Sequence, residues 1–296
     1  MGLYDASTID LALDVIKINL NRPNEISTQA QIPVSKWAEI VANVYCNTMY
    51  VAALGNMADE IWKYNVSSGW SKCASLVQSR LKYSAAFIDE VLYICGGVLV
   101  PSKRCVLDSV EAFNAVTDEC NTVGKLVRCV ESSDNCVPYR SSLYIFGGKD
   151  EHEKGLTDVQ VYNTKQNTCT VLTKPMPRPS FAMRAVLLER SVILVGENTC
   201  LLFNFETETW QEREQFKTGV RHFGLVLHDK RVFVIGGGEE IGRNESGSLI
   251  IWKCSDDVRY VPLQNILDDK PIEWKIHGKL PKPSLVHTFG EMWMSA

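Results

Sequence analysis

Short apolar strands that end in glycine return along this chain at nearly constant intervals. They are Met49 to Gly55, Val91 to Gly97, Leu143 to Gly148, Val192 to Gly196 and Val232 to Gly238. Their first glycines stand at 55, 96, 147, 196 and 236, with spacings of 41, 51, 49 and 40 residues. Self-similarity at such a period is the signature of a repeat architecture, which restricts the possible folds more than composition does. A second element follows most of the glycines: an alternating strand that ends in an aromatic residue and Asn, then a Trp or Cys. The instances are Tyr64-Asn65 with Trp70, Phe113-Asn114 with Cys120, Tyr162-Asn163 with Cys169, and Phe203-Asn204 with Trp210. Asn opens a tight turn because its side chain bonds its own backbone. Each unit therefore reads as four short antiparallel strands. One such sheet cannot bury both of its faces, and radial stacking of units solves that problem.

Strand-Gly-Gly, then aromatic-Asn, then Trp resembles the kelch repeat. The resemblance covers about residues 43 to 276, and its best unit holds Gly147-Gly148, Tyr162-Asn163 and Cys169. The chain departs from the pattern at Gly55 and Gly196, which lack a second glycine, and at Cys120 and Cys169, which stand in the Trp place. The unit after Gly236 shows no aromatic-Asn step and offers Ile251-Trp252 and then Trp274. Before Met49, three segments look like the last three strands of a unit: Asp14 to Leu20, Glu25 to Gln31 and Trp37 to Ile40. After Lys282, Ser284 to Met294 looks like a first strand. The expected fold is an all-β, six-bladed kelch β-propeller with four antiparallel strands per blade. Its C-terminal strand joins the N-terminal blade, and closure of that kind removes sheet edges. Five blades with frayed ends is the alternative. Residues 1–14 read as a linker or tail, and 15–296 as a single kelch domain. Trp210 is expected to be buried at a seam between blades.

Composition excludes several classes. With 45% hydrophobic and 22% charged residues, the chain is apolar enough to bury a core. No apolar run approaches the roughly 20 residues of a spanning helix, so no membrane partner is expected. The net charge is -4 and no basic stripe appears, which argues against nucleic acid. Ten cysteines without a Cys-x-x-Cys pair read as reduced thiols, some of them small core residues, and no secretion signal opens the chain. A cytoplasmic location follows from that reading. His222 and His228 sit six apart, about 20 Å along one strand, too far to share a metal. The run from Gly236 to Gly242 fits neither nucleotide-binding pattern, and no Gly-x-Ser-x-Gly elbow is present. No catalytic residues, metal or cofactor are expected, and copper oxidases of kelch type need a ligand set not assembled here.

The resemblance implies a binding module. In the kelch family the partner face is built from the starts of the innermost strands and from the loops after Gly-Gly. Carried over to this chain, that places Arg221 at the channel mouth, with Arg104, Lys149 and Arg243 on surrounding loops and Arg80, Tyr83, Phe181 and His222 at strand starts. Arg and aromatic side chains are frequent binding anchors. Within the BTB–kelch family such a domain reads a degron for a cullin-3 ubiquitin ligase, so the expected partner is a protein or peptide substrate. Cullin-3 itself would be reached only through BTB and BACK domains, for which this chain has no room. A kelch scaffold for actin or another cytoskeletal protein is the alternative.

Overall fold

The computed structural model describes residues 3–4, 14–31, 41–54, 58–100, 105–131, 135–179, 183–243 and 250–284. They fall into two compact units.

One unit comprises residues 37–194, 201–211 and 290–296. Its first repeat is a four-stranded sheet of Ala42–Tyr45, Thr48–Leu54, Glu60–Asn65 and Gly69–Ser75. The second is Ser84–Ile88, Val91–Cys95, Ser109–Asn114 and Glu119–Lys125. The third is Cys136–Tyr139, Ser142–Phe146, Val159–Asn163 and Thr168–Val171. A fourth sheet, Arg184–Leu187, Ser191–Val195, Cys200–Asn204 and Thr209–Glu212, lies mostly in this unit. The strands of the first three repeats pair antiparallel, as short connections require. Alternating apolar residues then fill separate cores, among them Leu92, Ile94 and Phe113, or Phe146, Leu194 and Phe203.

The aromatic-Asn steps form the turns that the sequence suggests. Asn65, Asn114, Asn163 and Asn204 each accept the N–H two residues on, at 2.8–3.0 Å. Trp210 departs from its expectation: it is half-buried, packed against the rings of Phe203 and Phe146.

The other unit comprises residues 1–36, 195–200 and 212–289. The fifth repeat lies here: Gly224–His228, Arg231–Ile235, Asp257–Pro262 and Lys275–Lys279. Its third strand corrects the sequence reading. Ile251 and Trp252 belong to a separate hairpin, Gly238–Arg243 with Ile250–Cys254, inserted between the second and third strands. The repeat resumes at Asp257, whose carbonyl accepts the N–H of Gly236, as Ser109 does for Gly96 and Asp158 for Gly147. A short helix, Leu263–Leu267, fills the link to the last strand.

The six-blade expectation is also corrected. Among the described residues there are five four-stranded sheets. Among the described residues, Asp14–Ile18 and Ile26–Gln31 of the supposed composite blade form a two-stranded sheet with each other. Their Ile16, Ile18 and Ile26 pack on Val226, Phe233, Ile235 and Val258, so this hairpin finds its apolar cover in the fifth repeat. The remaining strands assigned to that blade, 37–40 and 285–294, lie outside the described residues.

Within a repeat, the turn after the second strand, the start of the third and the lead-in to a first strand come together at one end. In the second repeat Gly97 donates to Val130 and the short strand Arg80–Leu81 pairs with Val98–Leu99.

Candidate functional site

The lead-in to the fifth repeat carries Arg221. Its N–H donates to Gly238 at 2.8 Å and its carbonyl accepts the Gly238 N–H at 2.9 Å. Gly237 makes this approach possible. Its φ is +93°, and a Cβ there would lie 2.9 Å from the Arg221 carbonyl oxygen.

Two carboxylates flank the guanidinium. Nε of Arg221 donates to Glu197 Oε2 at 2.6 Å, and Nη1 donates to Glu240 Oε2 at 3.2 Å. The Arg221 side chain is 41% exposed, against 25% for Glu197 and 30% for Glu240. The cluster thus reaches solvent but is held from both sides. Glu197 comes from the turn after Gly196, and its carbonyl accepts the N–H groups of Thr218 at 3.1 Å and Gly219 at 3.0 Å. The Thr218 hydroxyl bonds the carbonyls of Gly196 and Glu197. Charge-assisted bonds of this kind fix geometry as well as adding energy.

Behind Thr218 stands Arg259, in the third strand. Its Nη2 donates to the Thr218 carbonyl and its guanidinium lies 4.5 Å from the Trp274 ring centroid. Burial lowers its pKa below the ordinary arginine value, which Asp257 partly opposes.

The other expected anchors are distributed differently. Arg80 and Tyr83 are corrections: both are 0% exposed and offer no atom to a partner. Arg80 ion-pairs with Glu111 and donates to the carbonyls of Gly96 and Ser109. Glu111 also accepts the N–H groups of Val77 at 2.7 Å and Gln78 at 3.0 Å. Tyr83 donates to the Ala52 carbonyl at 2.8 Å, and burial pushes its phenol above the ordinary range. Strand starts lie near the loop end, but these two side chains turn into the sheet packing instead. Lys149 is half-buried, its backbone bridged to Glu131 and Gly155. His222, exposed with φ +51°, follows Arg221 directly, and Arg243 is exposed at the end of its hairpin strand. Arg104 and Phe181 lie outside the described residues.

Sequence reading did not single out Glu197, Thr218 or Arg259. A signal existed: Ser109-Val110-Glu111, Asp158-Val159-Gln160 and Asp257-Val258-Arg259 share one register place. Among the described residues no group of three His, Cys, Asp or Glu could hold a metal ion, and no helix is long and apolar enough to cross a membrane.

Comparison with known proteins accords with this architecture. The kelch motif matches residues 79–126 and 136–176. Kelch-like protein 35 of Mus musculus is 25% identical over 203 residues, which is 68% of this chain and 34% of that protein. Kelch-like protein 25 of Xenopus tropicalis is 22% identical over 73% of this chain and 39% of its own length. Alpha-scruin of Limulus polyphemus is 21% identical over 72% of this chain and 24% of its own length. The chain therefore spans well under half the length of these relatives. The solved structure of YjhT superposes with a TM-score of 0.68 at 14% identity, covering 86% of this chain and 88% of that one. The fold is an all-β propeller, and the chain carries kelch motifs and resembles the kelch domain of BTB–kelch proteins.

Proposed function

We propose that this kelch-repeat chain is the substrate-reading module of a BTB–kelch adaptor for a cullin-3 ubiquitin ligase, and that Arg221 anchors a peptide segment of the substrate. The observation that carries the reading is the half-exposed guanidinium held between Glu197 and Glu240 at the loop end of the fifth repeat. An arginine presented on a rigid frame loses little freedom on binding, which favours it as an anchor. The two carboxylates narrow what it takes. An acidic side chain would meet like charge, so the fitting group is a neutral acceptor such as a peptide carbonyl. His222 follows Arg221 directly and is exposed beside the contact. In this reading cullin-3 is engaged by BTB and BACK domains outside the chain, in the cytoplasm.

The test compares the wild-type chain and Arg221→Ala as baits in cell lysate, with mass spectrometry of what is retained. Loss of the partners, with melting temperature within a degree or two, supports the reading. Retention of every partner by a folded Arg221→Ala sinks it. Cullin-3 should appear only when the bait is a full-length BTB-containing form. Co-sedimentation of the chain with actin filaments, independent of Arg221, would point to a cytoskeletal scaffold instead.

A further inference from the structure

The third strands of three repeats carry one polar residue each at the same register place, two positions after the residue whose carbonyl accepts the first glycine N–H. They are Glu111, Gln160 and Arg259. In all three repeats that side chain grips the lead-in segment of its own repeat's first strand, yet the chemistry differs. Glu111 accepts the N–H groups of Val77 and Gln78. Gln160 accepts the Arg128 N–H at 2.9 Å and returns a bond to its carbonyl at 3.2 Å. Arg259 has no acceptor and, among the described residues, donates to the Thr218 carbonyl.

That inversion has a consequence at Arg221. Gln78, Arg128 and Thr218 are equivalent residues. In the first two, the third-strand side chain consumes the N–H. In the fifth repeat the Thr218 N–H is left for the backbone carbonyl of Glu197, at 3.1 Å. Glu197 in turn holds Arg221 Nε. We propose that Arg259 is the positioning residue of the Arg221 cluster: by being a donor only, it releases the Thr218 N–H to Glu197 and so fixes the carboxylate that aims Arg221. The proposal rests on Arg221 being the anchor only for its functional meaning; the relay itself is a structural claim.

Two substitutions separate this role from simple packing. Arg259→Gln introduces an acceptor at a place where Gln160 shows that glutamine is compatible with the fold. Arg259→Lys also loses the planar stack on Trp274 but still offers donors alone. The readout is hydrogen exchange of the Arg221 Nε–H by nuclear magnetic resonance, with the amides of Phe233 and Val258 reporting the core. Arg259→Gln should speed Arg221 Nε–H exchange by about tenfold, because the protecting pair opens locally, while the core amides stay as in the wild type. Arg259→Lys should stay within about twofold of the wild type on the same grounds. Arg259→Glu puts here the acceptor that Glu111 supplies in the second repeat; it should also speed the exchange, and it decides the matter if Arg259→Gln does not fold. Equal behaviour of the Gln and Lys variants, or no change in the Gln and Glu variants, overturns the relay. If the relay holds and Arg221→Ala keeps every partner, the binding reading fails and the positioning claim stands.

Discussion

In the second repeat Arg80 stands opposite Leu99, two residues past Gly97; in the fifth, Arg221 stands opposite Gly238, one residue past Gly237. That single step of register decides opposite fates. Successive side chains of an extended segment point to opposite faces, so a shift of one residue exchanges inside for outside. Arg80 turns inward, 0% exposed with its Glu111 partner, and donates to three carbonyls there. Arg221 turns outward, to carboxylates that solvent also reaches. The backbone frames are alike: a Cβ on Gly97 would meet the Leu81 carbonyl at 2.7 Å, and one on Gly237 the Arg221 carbonyl at 2.9 Å. The same frame thus holds a structural ion pair in one place and an accessible one in the other.

The sharpest way to break the comparison is Arg80→Ala. It strands the Glu111 charge in a sealed core, and removing one member of a buried pair costs about 3–5 kcal/mol. Urea unfolding measures this. Replacing both members together, Arg80→Met with Glu111→Leu, should cost less than Arg80→Ala alone; an equal or larger loss would mean that the pair is not the reason for the burial.

Next in size, Gly97→Ala and Gly237→Ala should each cost about 1–3 kcal/mol, because both positions combine positive φ with a backbone contact. Similar losses confirm that the two repeats share one frame. A tolerant Gly237→Ala would show that the fifth repeat can yield where the second cannot.

A smaller effect is expected for Arg221→Ala, about 1 kcal/mol or less, since partly exposed ion pairs contribute little. A loss as large as that of Arg80→Ala would make Arg221 a structural residue.

The last prediction concerns reactivity rather than stability. Cys120 donates to Glu111 Oε2, and burial together with the Glu111 charge pushes its thiol up to about 12. Burial likewise raises Cys200 to about 12. Both are almost wholly protonated near pH 8, and the thiolate is the reactive form. Cys105 and Cys46 are exposed. Iodoacetamide labelling of the native protein followed by peptide mass spectrometry should mark Cys46 and Cys105 first; early labelling of Cys120 would mean that the second repeat opens around Glu111.

Much of the architecture was legible because it is local. Gly-Gly pairs need positive φ, and the Asn turns close on themselves within two residues, so both leave direct marks in the sequence. Arg80 and Tyr83 were misread because strand starts and loop ends look alike in sequence, whereas their exposure depends on a one-residue register. The fifth repeat was misread because an inserted hairpin brings its own apolar strand, Ile250–Cys254, which imitates the missing one. The blade count was misread for a related reason: the N-terminal hairpin has the alternation of blade strands, but alternation does not say which sheet a strand joins.

The sequence by itself determined the repeat, its period, the antiparallel strand type and the turn chemistry. Each of these depends on residues a few positions apart. Only the tertiary structure decided which arginine is sealed and which is presented, and that Glu197, Thr218 and Arg259 meet behind Arg221. Those contacts join residues 21 to 41 positions apart, from different strands and turns. Hydrogen-bond donors and acceptors at such separations are matched by packing, and a one-dimensional pattern carries no record of which donor finds which acceptor.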